Sequence, residues 1–176
     1  MAVRLASLSE ADPDAIEALL DAAFGTDRRS RTAYRLREGA RPIDDLSLAA
    51  FDGAVLAGVL QSWPIALLAG QDRHPLVLVG PVAVAPDRQL GGLGRQMMAA
   101  MLARADADRV PLMLVGDPEY YGQFFGFRAA AATGWQMPGP VEQRRVLARL
   151  PEGMTLPADG CLVARTPAIA GAGHRQ

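Results

Sequence analysis

Residues 76–115 constrain this chain more than any other stretch. Leu76–Ala85 is an apolar run of strand length. Gly92–Asp106 carries Leu93, Met97, Met98, Met101 and Leu102 on one helical stripe, and Val110–Val115 is apolar almost throughout. An apolar run of that kind fits a strand covered on both faces. Strand, helix and strand in this order close into a parallel pair with a right-handed crossover. The rest of the chain has to be arranged around that unit.

Upstream, Val3–Ser7 reads as a first strand. Asp12-Pro13 starts a helix, with a capping side chain and then a proline at the first helical position, and Gly25 stops it. The spacing predicts a second, partly exposed helix over 29–38. Strands are expected at Leu46–Phe51 and Val55–Leu67, with Asp52-Gly53 as a hairpin turn and Trp63-Pro64 as a bend or edge. Downstream, Tyr120–Phe125 is a short helix or turn, and strands are expected at Ala129–Met137 and Arg144–Leu150. Residues 1–165 are expected to form one domain, and 166–176 a frayed tail.

The net charge of −1 lacks the basic excess of a nucleic-acid or membrane-surface protein. A single cysteine, Cys161, excludes an intramolecular disulfide, and neither His74 nor His174 has partners at metal spacing, so no metal is expected. Glu10, Asp12 and Asp14 stand where a signal peptide would be apolar, and no apolar run reaches the ~18 residues of a membrane helix. The expected setting is cytoplasmic, with no membrane or nucleic-acid partner.

The chemistry concentrates between Gly80 and Arg95. Gly80-Pro81 inside a strand contradicts a regular ladder, because proline donates no hydrogen bond and glycine there marks a bulge. A bulge splays the strand from its parallel neighbour and frees backbone groups for an extended, amide-containing ligand. The strand then runs through Gln89, Leu90, Gly91, Gly92, Leu93 and Gly94 into a helix N-terminus, an anion cradle suited to a pyrophosphate and flanked by Arg88 and Arg95. A Walker-type loop needs a lysine, and all 18 basic residues here are arginine. A dinucleotide fingerprint needs a third glycine, and Met97 stands in its place.

Gln89-x-x-Gly92-x-Gly94 after a Val-x-Val strand resembles the acetyl-CoA motif of the GNAT superfamily of N-acetyltransferases. Gly116-Asp117-Pro118-Glu119-Tyr120-Tyr121, followed by Gly126-Phe127, resembles the same superfamily, and the combination is similar to its YhbS-like group. The resemblance implies an α/β fold with a mixed, mostly antiparallel twisted sheet, a splayed parallel pair and helices on both faces. It implies an acetyltransferase using acetyl-CoA as cosubstrate and an amine as acceptor, monomeric or homodimeric. The Val82 N–H would hold the thioester carbonyl, Val82, Ala83 and Val84 would line the pantetheine arm, and the amides from Leu90 to Arg95 would bind the pyrophosphate. Tyr121, or its neighbour Tyr120, would protonate the leaving thiolate.

Three departures accompany this. Gly91 stands where many members carry Arg or Lys. The usual spacing puts the tyrosine at Gly122. Leu76–Val79 carry no carboxylate, which leaves water, Asp117 or Glu119 to take the amine proton. A non-catalytic acyl-CoA-binding or sensor module is the alternative. The plainer assignments are core for Phe124, Phe125, Phe127 and the helix methionines, and a solvated face for Arg28, Arg29 and Arg31.

Overall fold

The computed structural model describes residues 2–88 and 91–165. Strand β1 (Val3–Ser7) leads into helix α1 (Pro13–Phe24). Asp12 accepts the Ala15 N–H at 3.2 Å, and Gly25 ends the helix, as the sequence predicts. Strands β2 (Leu48–Asp52) and β3 (Val55–Ala69) form a hairpin whose two-residue loop is Gly53-Ala54, one residue later than expected, because Asp52 itself pairs with Val55. β4 (Asp72–Val84) returns along β3. Helix α2 (Leu93–Ala107), strand β5 (Leu112–Val115) and helix α3 (Pro118–Phe125) follow, and then strands β6 (Gly134–Gln136), β7 (Val146–Arg149) and β8 (Asp159–Ala164).

The sheet runs β1-β2-β3-β4-β5-β7, with β8 on β3 and β6 on β8. All pairs are antiparallel except β4 with β5 and β6 with β8. The long strand β3 faces β4 on one edge and divides the other between β2, through Leu60, and β8, from Ile65. Pro64 sits between those two partners, where a missing N–H donor breaks neither ladder.

Three expectations need correction. Residues 29–38 form no α-helix: two 3-10 turns, Arg28–Ser30 and Thr32–Arg37, are separated by an extended Arg31, and no side chain caps either. The 129–137 strand shrinks to Gly134–Gln136, preceded by a 3-10 turn at Ala130–Ala132. Strand β8 was not anticipated. The tail assigned to 166–176 lies outside the described residues.

Helices cover both faces. Leu93, Met97, Met98, Met101, Leu102 and Ala105 of α2 are all buried, and they pack with Phe125 and Phe127 against one face. Each large apolar side chain there contributes about 1.5–3 kcal/mol. Ile16, Leu19 and Leu20 of α1 pack on the other face, against Ala49, Val59 and Ala83. Beside them a second cluster gathers around Trp63 and Trp135. No helix among the described residues is long and apolar enough to cross a membrane.

Arg28 is not on a solvated face: it is 1% exposed. Its Nε donates to Asp21 at 2.9 Å, its Nη1 to the Tyr34 hydroxyl at 2.9 Å, and its Nη2 to Glu17. Glu17 and Asp21 are one helical turn apart on α1, a like-charged spacing that repels unless a cation lies between them. Arg28→Met is therefore expected to destabilise the fold by about 2 kcal/mol. That is less than the ~3–5 kcal/mol for a wholly buried pair, because both acids keep contact with solvent. A urea midpoint unchanged from wild type would contradict this.

Candidate active site

The bulge on β4 builds the site. Leu60 pairs with Val82 and Ser62 with Val79, so one residue of β3, Gln61, faces two of β4, Gly80 and Pro81. Gly80 has φ of +123°, a conformation other residues adopt at a cost. Beyond the bulge the Ala85 N–H donates to the Ala57 carbonyl at 2.8 Å. Amides alternate along a strand, so the N–H of Ala83 also turns to β3, while those of Val82 and Val84 turn away from it. Ala83 thus gives its backbone to the ladder and its methyl to the α1 face. It is a spacer between Val82 and Val84 whose N–H is committed to β3.

On the side to which Val82 and Val84 turn, β5 pairs with β4 only at Val77–Leu112 and Leu78–Met113. Past these pairs the strands diverge, and a cavity of about 540 Å³ opens between Leu78–Val82 and Leu114–Asp117. Its far wall comes from the 3-10 turns after α1 and from Met137–Arg145. A second cavity, of about 390 Å³, lies over Val84, Gly91, Gly92, Leu93, Gly94 and Arg95. Adjacent tyrosines on α3 divide between the two: Tyr121 lines the first and Tyr120 the second.

At the start of α2, Gln96 N–H to Gly92 O, 2.9 Å, is the first intrahelical bond. The N–H groups of Leu93, Gly94 and Arg95 therefore have no acceptor within the helix, and Gly92 supplies no side-chain cap. Gly92 needs to be glycine for its φ of +79°. Gly91 and Gly94 have no such reason, and a Cβ on any of the three would meet nothing within 4 Å. Nothing among the described residues calls for bare backbone at 91 and 94, so the open amide surface fits a bulky external anion. Gln89 and Leu90 lie outside the described residues. Arg88 is paired with Asp52, and Arg95 stacks 4.5 Å from the centre of the Phe124 ring. Phe124 is accordingly exposed, not core, whereas Phe125 and Phe127 are buried.

Tyr121 is held by its surroundings. Its ring lies against Gly116, where a Cβ would come within 2.5 Å of the ring, and beside Phe125 and Phe127, with ring centres 6.0 and 6.3 Å away. Burial pushes its pKa above that of a free phenol, helped by Tyr120 and Asp117 and opposed by Arg145. A phenol so placed stays protonated and can donate. Of the two carboxylates considered, Asp117 lines the cavity and caps α3 by accepting the Glu119 N–H at 3.0 Å. Glu119 instead bonds Arg144 at 2.9 and 3.0 Å.

On the far wall the sequence reading missed Tyr34, Arg37, Glu142 and Arg145, and it gave Arg28 chiefly as a solvated face. Arg37 is stacked between two rings, 3.9 Å from the centre of Tyr34 and 4.0 Å from that of Trp63. Its Nη2 donates to Gln61 Oε1 at 3.3 Å. Its Nη1 is buried with no acceptor among the described residues, and so is the Trp63 Nε1. Burial lowers the Arg37 pKa from the ordinary arginine value, against the pull of Tyr34. An orphaned buried donor costs about 1–3 kcal/mol.

Comparison with known proteins gives a consistent picture. A family model described as an acetyltransferase (GNAT) domain matches residues 4–130. A GNAT family acetyltransferase from Brucella melitensis, solved in complex with acetyl-CoA, is 22% identical, with a TM-score of 0.64 over 93% of this chain and 96% of that one. The GNAT family N-acetyltransferase YhbS from Escherichia coli, solved in complex with CoA, is 23% identical, with a TM-score of 0.67 over 93% and 89%. Both are likenesses of fold. A search of curated proteins gives no significant match.

Proposed function

Because the chain belongs to the GNAT acetyltransferase domain family, we propose that residues 1–165 form one acyltransferase domain that moves an acetyl group from acetyl-CoA to a primary amine, by direct attack in a ternary complex. The observation that carries this reading is the continuity of β4. Past its bulge, one strand presents Val82 to a cavity holding a half-buried tyrosine and Val84 to a cavity floored by open helix amides. The span suits a long ligand with an anionic end and a reactive end. The CoA-bound state of both fold relatives supports the same identification.

Acetyl-CoA supplies an activated thioester; the protein supplies position and a proton. The N–H groups of Leu93, Gly94 and Arg95 bind the pyrophosphate, each charge-assisted bond contributing roughly 1.5–3 kcal/mol. The Val84 backbone bonds the pantetheine arm. The Val82 N–H points at the thioester oxygen and stabilises the charge that develops there. Tyr121 donates its proton to the leaving sulfur, and its raised pKa keeps that proton available at neutral pH. Asp117 is the carboxylate best placed to take the proton of the attacking amine.

Calorimetric titration with acetyl-CoA, followed by thiol release in the presence of amines, tests the proposal. Micromolar binding with amine-dependent release of CoA is expected. Binding with no transfer to a broad panel of amines would make this an acyl-CoA-binding module instead, and no binding by the folded protein would remove the reading.

A further inference from the structure

Four arginines line the larger cavity. Arg28 is neutralised by Glu17 and Asp21, and Arg31 donates to the Phe24 carbonyl. Arg37 and Arg145 have no carboxylate partner among the described residues. The acids lining the same cavity are Asp117, which caps α3, and Glu142; both are exposed. The walls thus hold three guanidiniums without a carboxylate partner among the described residues, Arg31, Arg37 and Arg145, and two carboxylates in one chamber. That distribution matches a molecule bearing both a cation and an anion, not a polycation.

The Arg37 side chain gives the anion a definite place. A planar guanidinium stacked between Tyr34 and Trp63 is already ordered, so little freedom is lost when it bonds a carboxylate. It also has an orphaned donor, and the Trp63 indole packed against it has another. No group of the described residues satisfies them.

Resting on the acetyltransferase reading, we infer that the acceptor is an amine that also carries a carboxylate, an amino acid or a similar zwitterion. Arg37 receives the carboxylate, Arg145 adds attraction beside Tyr121, and the amine lies toward Tyr121 and Asp117. Arg37 is then a specificity-determining residue for the acceptor and touches no part of CoA.

The test compares acceptors that differ only by the carboxylate: tryptophan with tryptamine, arginine with agmatine, and 6-aminohexanoate with pentylamine. In at least one pair the acid is expected to be turned over with a kcat/KM roughly ten- to a hundredfold above its partner amine. Arg37→Met is expected to bring that ratio toward one, and Arg37→Lys to restore part of it. A wild type that favours the plain amine in every pair overturns the inference, and so does acetyl-CoA binding without turnover of any acid. A preference that survives in a folded Arg37→Met variant also overturns it. If the variant does not fold, the wild-type ratios decide alone. Failure to bind acetyl-CoA would instead remove the reading on which the inference rests, and calorimetry on the same preparation separates the two failures.

Discussion

Gly91→Glu combined with Gly94→Glu is expected to weaken acetyl-CoA binding by at least about a hundredfold while leaving the protein folded. Both positions open onto empty space, so the new side chains meet no internal atom within 4 Å at Cβ. They would project into the cavity proposed for the pyrophosphate. A carboxylate held ~5 Å from a phosphate charge opposes it by roughly 3 kcal/mol at an effective dielectric of ~20. Screening and side-chain movement reduce this, but two such charges still leave the ~2.8 kcal/mol that a hundredfold requires. A milder variant separates binding from folding. Gly94→Ala gains helix propensity worth up to ~1 kcal/mol, so its melting temperature is expected to equal or exceed that of wild type while its affinity falls. An alanine variant more stable than wild type and equally tight would show that the amide surface at Gly94 is not used.

The second large effect is expected at Tyr121. Tyr121→Phe removes one hydroxyl from a packed ring, and the ring contacts with Gly116, Phe125 and Phe127 survive. Turnover is expected to fall by ~10²–10⁴, the usual contribution of a positioned acid, with acetyl-CoA affinity within about twofold of wild type. Tyr120→Phe, which alters the other cavity, is expected to change turnover far less. The pH profile carries the same signature. Because burial raises the Tyr121 pKa, the alkaline limb of kcat belongs above the ~10 of a free phenol and disappears in the phenylalanine variant. The linked stability term has a definite sign. It is fully present below ~10, where the phenol is neutral in both states, and is lost as pH rises through the higher folded value. Equal turnover by wild type and both phenylalanine variants would take the proton-donor role away from α3.

How far the sequence could be read depended on whether the forces were local. The helix of Met97 and Met101 and the buried strand of Leu112–Val115 announce themselves by periodicity. The break at Gly80-Pro81 shows because proline is chemically unfit for an interior ladder. Strand β8 gives no such signal. It is short, contains Gly160, and exists because Leu162 pairs with Leu67, nearly a hundred residues earlier. The far wall was hidden for another reason. Arg28 looks like surface until Glu17 and Asp21 are seen on one face of α1, a like-charged pair at helical spacing that was the one available hint. Phe124 misled in the opposite direction: an aromatic residue in an aromatic run reads as core, but here it is exposed beneath the Arg95 guanidinium. Arg37 offered no local hint, since its position depends on a tryptophan from a strand 26 residues later.

The bulge also acts as a parity device. Side chains alternate along a strand, so a single added residue exchanges inside for outside from that point onward. Before it, Val77 and Val79 face α2; after it, Val82 and Val84 do. The bulge absorbs that residue, so Gly58, Leu60 and Ser62 of β3 keep an unbroken alternation opposite Val84, Val82 and Val79. Remove one residue from Gly80-Pro81, and the ladder would become regular with Val82 and Val84 still facing α2; both cores would survive, and the local bend would be lost. A deletion elsewhere in β4 has no bulge to absorb it and would turn a run of side chains onto the wrong face. The apparent defect in β4 is the one place where the strand can gain or lose a residue without exchanging its two surfaces.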